Sequence, residues 1–222
     1  MEETFSNQNQ PKSKEPSKPF GAKIAQVSSD VFSPLLIPTY AMIFVMWLTP
    51  LLILPFGTKA WAAGGVFIIT CVIPLLIIFC LIKLGKVSDT AISNRSERTL
   101  PFAASVACYV GAAWFMSSLN APRWLTVFFL GAALVSLLAM IITRWWKISA
   151  HTGAVGGLAG IIFWLGQKNL ILEDPLICLS VTIALVALIA WARLYLKRHT
   201  PLQVLCGATL GFSVELVLLN IA

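Results

Sequence analysis

Charged residues are scarce in this sequence. Asp, Glu, Lys and Arg make up 11% of its 222 residues, whereas a typical soluble domain contains about 25%. Hydrophobic residues make up 58%, and the mean hydropathy is +0.86. So few polar side chains could not cover a soluble globule of this size. The composition therefore predicts a polytopic membrane protein.

The sequence also lacks the patterns of metal-binding and disulfide-rich proteins. It has no Cys-x-x-Cys motif and no cluster of Cys with His, and its five cysteines lie within or beside apolar runs. We expect those cysteines to act as small hydrophobic side chains, and we expect no metal and no cofactor. The net charge of +7 is spread over a tail and short loops, which indicates membrane topology and not nucleic-acid binding.

Two regions differ in composition. Residues 1–27 are rich in Ser, Pro, Lys and Glu, and we expect a disordered polar tail there. Residues 28–222 are predicted to form one transmembrane domain, an all-α bundle, because a bilayer excludes open strands and admits helices of about 20 apolar residues. The candidate spans are Val31–Phe56, Trp61–Leu84, Pro101–Leu119, Trp124–Thr143, Thr152–Gln167, Pro175–Leu194 and Gln203–Asn220.

The first and fifth of these runs are irregular. Four prolines interrupt the first run, so its ends could be interfacial and the expected total is six to seven spans. The fifth run is short and contains Gly153, Gly156, Gly157 and Gly160. Small residues at such spacing predict close approach of a neighbouring helix.

Alternating spans sort the loops onto two faces. One face, here called the motif face, receives the loops Lys86–Leu100, Arg144–His151 and Leu194–Leu202. The loops of the opposite face are short and carry few functional groups. Three segments that are distant in sequence are therefore predicted to meet on the motif face.

The chain has only two histidines, and both belong to the motif face. His151 and His199 each lie at a predicted junction of loop and helix. A single histidine at a membrane interface is more often structural than catalytic. Two on one face among arginines favour catalysis, since imidazole exchanges protons near neutral pH and can act as a nucleophile.

Arginines on the motif face are candidates for phosphate binding. Arg95 and Arg98 are three residues apart and could point the same way from a helix, and Arg193 ends an otherwise apolar span. A guanidinium group matches phosphate oxygens and keeps its charge. The alternative is topological, because cytoplasmic loops are enriched in Arg without any catalytic role. We favour that alternative for Arg198.

The most specific signal is the spacing of Arg193, His199 and Gln203. Gln203 lies four residues after His199 and is predicted on the same side of a helix. Its amide oxygen could accept a hydrogen bond from one imidazole N–H, which would leave the other ring nitrogen free. Arg193 could then bind phosphoryl oxygens beside it.

These motifs resemble those of the type-2 phosphatidic acid phosphatase family, which shares its site with vanadium haloperoxidases. The third family motif is similar to the segment in which His199 follows Arg193 by six residues. Gln203 follows His199 by four residues and stands in place of the usual Asp. The second is similar to the block from Lys147 to His151, which contains Ser149. The first is weaker here and centres on Arg95 and Arg98. The sequence looks like a divergent bacterial branch of the family.

The resemblance implies a membrane phosphatase acting on a lipid phosphate or pyrophosphate. By that resemblance His199 is the nucleophile, Gln203 orients it, and His151 is the general acid and base. Arg98, Arg193, Arg95 and Ser149 would bind the phosphate, without a metal. The expected partners are the lipid phosphate substrate and membrane lipids. Since Gln203 cannot neutralise an imidazolium ion, the alternative is a catalytically degenerate protein that binds anionic lipid headgroups.

The sequence does not decide the membrane side of the motif face or the role of Glu215. The expected location is the bacterial inner membrane. Lys83 and Lys86 abut a span, and this charge bias favours a cytoplasmic motif face, whereas the family resemblance favours the periplasmic side. Glu215 is the one plain ionisable group in the middle of a span, where it is costly, and its presence alone is too little to predict a transporter.

Overall fold

A computed structural model describes residues 20–89 and 94–222 of the chain. The described residues form helices connected by turns and short loops, with no strand among them. The helices are α1 (Phe20–Val31), α2 (Ile37–Leu48), α3 (Phe56–Phe67), α4 (Ile73–Lys83), α5 (Thr99–Ser118), α6 (Arg123–Thr143), α7 (Ala150–Gln167), α8 (Pro175–Tyr195) and α9 (Pro201–Ile221).

Five helical segments are long and apolar enough to cross a membrane. Within the described residues they are Phe56–Lys83, Arg95–Ser118, Arg123–Thr143, Pro175–Tyr195 and Pro201–Ile221. The first of them joins α3 to α4 through a π-helical turn, Ile68–Val72. Pro74 follows that turn, and the wider turn accommodates a residue that lacks an amide donor. The predicted polytopic helical bundle is confirmed.

The first apolar run does not form a single span, contrary to the prediction for Val31–Phe56. Helix α2 ends at Leu48, and Pro50 begins a short 3-10 turn. A helix of 12 residues rises only about 18 Å, which is less than the roughly 30 Å of a hydrocarbon core. The prolines break this run because each lacks the N–H that an α-helix interior requires.

Part of the segment that was predicted as a polar tail is helical. Residues 20–27 belong to α1, and residues 1–19 lie outside the described part of the chain. Helix α1 buries Ala25 and Ser29 against the bundle, where it packs on α8. Its exposed apolar side chains recur at helical spacing and comprise Phe20, Ile24, Val27 and Val31. This stripe is typical of a helix that lies at the membrane interface.

Helix α7 is the centre of the bundle, with 12 of its 18 residues buried. It packs against α9 through the glycines that the sequence singled out. A Cβ atom on Gly156 would overlap the backbone of Ala208, and one on Gly211 would overlap the carbonyl oxygen of Gly153. The two backbones are therefore in direct contact, as small residues allow in membranes.

Three hydrogen bonds confirm that distant loops meet on the motif face. Arg95 Nη1 donates to the carbonyl oxygen of Trp145 over 2.7 Å, and Arg98 Nη1 donates to that of Ile148 over 3.3 Å. The backbone N–H of Ser149 donates to the carbonyl oxygen of Gln203 over 3.3 Å. The beginnings of α5, α7 and α9 are thereby joined.

We expect Gly211→Ala to destabilise the bundle by about 1–3 kcal/mol, the usual cost of overpacking, because the added methyl group meets backbone atoms of α7 that cannot move aside. The measurement is the unfolding midpoint in a denaturing-detergent titration. Gly64→Ala is the matched control, since a Cβ on Gly64 has nothing within 4 Å. Equal midpoints for the two variants would contradict the close contact of α7 and α9.

Candidate functional site

The end of α8 places His199 beside Arg193. The N–H of Arg198 donates to the carbonyl oxygen of Arg193 over 3.1 Å, and the N–H of Lys197 donates to that of Leu194 over 2.9 Å. Lys197 has a φ of 52°, so the chain reverses in the left-handed conformation of a Schellman C-cap. The six-residue spacing between Arg193 and His199 thus spans the last residues of α8 and its C-cap turn.

The side-chain oxygen of Gln203 has two contacts at the beginning of α9. Thr200 is the N-cap residue, and Gln203 completes a capping box with it. The Oε1 atom of Gln203 accepts a hydrogen bond from the Thr200 N–H over 3.2 Å, and it lies 3.2 Å from Nδ1 of His199. A backbone N–H can only donate, which identifies the amide atom that it meets as oxygen. Nδ1 of His199 must therefore carry the proton, and its Nε2 atom keeps a free lone pair.

His199 is neutral at physiological pH. Its side chain is only 8% exposed. Burial lowers its pKa to about 3, and the positive charges of Arg193, Arg98 and Lys147 lower that pKa as well, against the opposing effect of the hydrogen bond to Gln203. A neutral ring with a free Nε2 lone pair is the form that a nucleophile requires.

Two buried guanidinium groups lie near this ring. Arg98 is 8% and Arg193 is 9% exposed, and Nε of Arg193 has no hydrogen-bond partner among the described residues. Burial lowers the pKa of the nearby Lys147, and the charges of Arg98, Arg193 and Arg198 lower it further. A guanidinium group cannot lose its proton in a protein. The site is therefore a concentration of positive charge that an anion would neutralise.

His151 lies in the first turn of α7, which Ser149 caps. Burial lowers the pKa of His151 to about 3, and the charges of Arg193, His199 and Arg98 lower it further, against the opposing effect of a hydrogen-bond interaction with the backbone of Ser29 in α1. His151 and His199 border the same cavity. Helix α1 therefore borders the second histidine of the site.

A cavity of about 490 Å³ begins at this cluster. Arg98, His151, Arg193 and His199 line its end at the motif face, and Arg198 also belongs to its wall. The cavity extends inward to Phe128, which lies in the second turn of α6 from the opposite face, and to Glu215 of α9. A phosphate at the arginines would thus have the rest of the cavity beneath it.

Two predicted phosphate ligands have other partners. Arg95 is exposed and donates to the carbonyl oxygen of Trp145, and Ser149 Oγ accepts from the N–H of Thr152 over 3.4 Å at the start of α7. Neither residue is among those that line the cavity. Both connect the segments that carry the other site residues.

Helix α1 is the part of the site that sequence reasoning missed. Ser29 contacts His151, and Asp30 lies within electrostatic range of Arg193. Arg198, which we had interpreted as topological, also lines the cavity. The available signal for α1 was the helical spacing of Phe20, Ile24, Val27 and Val31 within a polar stretch. Among the described residues, no group of three or more His, Cys, Asp and Glu could hold a metal ion.

Comparison with known proteins gives one match. Residues 143–222 match the family model described as the PAP2 superfamily. This range contains His151, Arg193, His199 and Gln203, whereas Arg95 and Arg98 precede it. No curated protein and no solved structure matches the chain.

The state of His199 can be measured by NMR on protein labelled at histidine, in which the variant His199→Gln assigns the signals. We expect the His199 ring to stay neutral, with Nε2 unprotonated, as the pH is lowered from about 8 to about 5, where an ordinary histidine with a pKa near 6.5 becomes protonated. A His199 signal that titrates near pH 6.5 would contradict the buried, positively charged environment.

Proposed function

Because residues 143–222 match the PAP2 superfamily model, we propose that the chain is an integral membrane phosphatase that hydrolyses a lipid phosphate or pyrophosphate. That match supports phosphatase activity in general. The observation that carries the residue assignment is the neutral ring of His199, with its Nε2 atom free, beside the buried guanidinium of Arg193.

Substrate binding in this proposal depends on the positive cluster. Arg98 and Arg193 bind the phosphoryl oxygens, and Arg198 adds positive charge at the cavity wall. Because these groups are shielded from water, their attraction for an anion is stronger than it would be at an exposed surface. Planar guanidinium groups also stabilise the charge that develops on the phosphoryl oxygens in the transition state.

The chemical step transfers the phosphoryl group to His199. Nε2 attacks phosphorus, the bond from phosphorus to the leaving oxygen breaks, and protonated His151 gives its proton to that oxygen. The bound phosphate favours the protonated form of His151, since an opposite charge stabilises the imidazolium. Water then attacks the phosphohistidine, His151 accepts a proton from that water, and phosphate leaves with His199 restored.

Helix α1 and Gln203 position the two histidines. In this proposal the backbone of Ser29, which interacts with His151, positions that ring for proton transfer. Gln203 holds the Nδ1 proton of His199 throughout the cycle. An uncharged amide orients the ring but does not neutralise it after attack. This difference from the usual Asp favours a second candidate function, a headgroup-binding protein without turnover.

The nucleophile is tested with the variant His199→Gln. We expect phosphate release from phosphatidate or an isoprenyl pyrophosphate to fall by at least about a thousandfold, because the attacking group is lost. Labelled substrate should also leave acid-labile phosphate on the wild-type protein and none on the variant. Arg144→Gln is the control, since Arg144 is an exposed cation of the motif face that does not line the cavity.

Three outcomes of that assay separate the candidate functions. Full activity of His199→Gln would reject the nucleophile assignment. A wild-type protein that binds the lipids but releases no phosphate would support the second candidate. Release by the wild type and by Arg144→Gln, but not by His199→Gln, is the result that we expect.

The general acid is tested with His151→Gln. We expect the rate for alkyl phosphates to fall by about a hundred- to ten-thousandfold, the usual contribution of a general acid. Aryl phosphates should lose less, because their leaving group needs less protonation. The measurement is the ratio of kcat/KM for alkyl and aryl substrates in wild type and variant, and an unchanged ratio would contradict the role of His151.

A further inference from the structure

The inner end of the cavity contains an acidic side chain that the phosphatase mechanism does not use. Glu215 lines the cavity and is only 1% exposed. Its Oε2 atom has no hydrogen-bond partner among the described residues. A buried carboxyl group without a partner is costly. Such a group in a cavity wall therefore calls for a ligand that can hydrogen-bond to it.

Small residues of two other helices make room for Glu215. A Cβ on Gly131 of α6 would overlap its carboxyl group, and a Cβ on Gly157 of α7 would lie 3.3 Å from its Cγ atom. A Cβ on Gly160 would lie 2.9 Å from its Cβ atom. Glycine at these three positions leaves room for the Glu215 side chain, whereas an alanine at any of them would be crowded against it.

The surroundings of Glu215 indicate the kind of ligand. The arginines that line the cavity, Arg98, Arg193 and Arg198, all lie at the ends of helices on the motif face. Glu215 is 12 residues beyond Gln203 in α9, about 18 Å along the helix axis. An isolated ionised carboxylate is very costly in apolar surroundings, so we expect a neutral carboxyl group, which both donates and accepts a hydrogen bond. A hydroxyl group complements it in both respects.

The cavity wall between the two ends is partly polar. Ser105 and Tyr109 of α5 and Ser136 of α6 line it together with apolar side chains. The volume of about 490 Å³ lies within the roughly 300–1,000 Å³ of small-molecule sites. The hydroxyl groups of Ser105 and Tyr109 already donate to the carbonyl oxygens of Pro101 and Pro34, whereas a plain hydrocarbon chain would leave the carboxyl group of Glu215 without a new partner.

We propose that the inner end of the cavity is a second recognition site, in which Glu215 hydrogen-bonds a hydroxyl group on the chain of an amphiphilic substrate. This proposal rests on the proposed function, because the phosphate bound by the arginines sets the distance at which that hydroxyl group must lie. The substrate class is thus a phosphorylated lipid with a hydroxylated chain.

The test compares alkyl phosphates that end in a methyl group with alkyl phosphates of the same length that end in a hydroxyl group, in lipid nanodiscs and over a range of chain lengths. We expect wild-type protein to prefer the hydroxylated substrate at one length by roughly three- to tenfold in kcat/KM, the effect of one net hydrogen bond. Glu215→Leu should lose this preference. Glu215→Gln should keep it, because the amide also donates and accepts.

Ser213→Ala is the matched control, since Ser213 is an exposed residue of the same helix that does not line the cavity, and it should keep the wild-type preference. The absence of a preference at every chain length, or its persistence in Glu215→Leu, would overturn the proposal. Glu215→Leu should fold, because replacing an unpaired buried polar group by an apolar one of similar size is often neutral. Glu215→Met provides a second apolar variant.

A binding measurement separates this proposal from the proposed function. If wild-type protein releases no phosphate from either series, the proposed function fails. The unfolding temperatures of wild type and Glu215→Leu are then measured in 1-alkanols and in α,ω-alkanediols of equal length. Greater stabilisation by one diol in wild type, but not in Glu215→Leu, would uphold the hydroxyl site. Equal stabilisation in both proteins would overturn it, and would indicate that water alone satisfies the carboxyl group.

Discussion

The backbone contact between α7 and α9 is the constraint on which the rest of the structure depends. Helices in lipid lack the hydrophobic attraction that joins helices in water, so their association relies on close packing and hydrogen bonds. Gly153 and Gly211 allow that packing. The same contact brings the N–H of Ser149 to the carbonyl oxygen of Gln203. Since α7 carries His151 and α9 begins at Pro201, directly after His199 and Thr200, one packing interface sets the register of both halves of the site.

Burial gives the site its electrostatic character. The guanidinium groups of Arg98 and Arg193 stay charged when they are removed from water, and they attract an anion more strongly there. The same burial keeps His199 neutral, because desolvation and neighbouring positive charges both disfavour the imidazolium ion. Burial therefore accounts both for the strong positive charge of the proposed phosphate-binding groups and for the neutral ring of His199 beside them.

Sequence reasoning succeeded where contacts are local. Arg193, His199 and Gln203 are related by a helix C-cap and a capping box within eleven consecutive positions, so their spacing alone predicted their proximity. The assignment of Arg98 needed the alternation of spans and the family resemblance, since its partner Ile148 is fifty residues away. Arg95 and Ser149 have the residue types of phosphate ligands, but their side chains hydrogen-bond elsewhere, and spacing cannot show that.

The sequence by itself determined the membrane class, the motif face and the pairing of His199 with Gln203, because these follow from composition and from contacts within one or two helical turns. The tertiary structure decided that α1 borders the site through Ser29 and that the first apolar run is divided after Leu48. It also decided that one cavity connects the arginines to Glu215. These features depend on how helices that are far apart in sequence fit together, and the shapes of packed side chains, which set that fit, are not encoded in any local pattern.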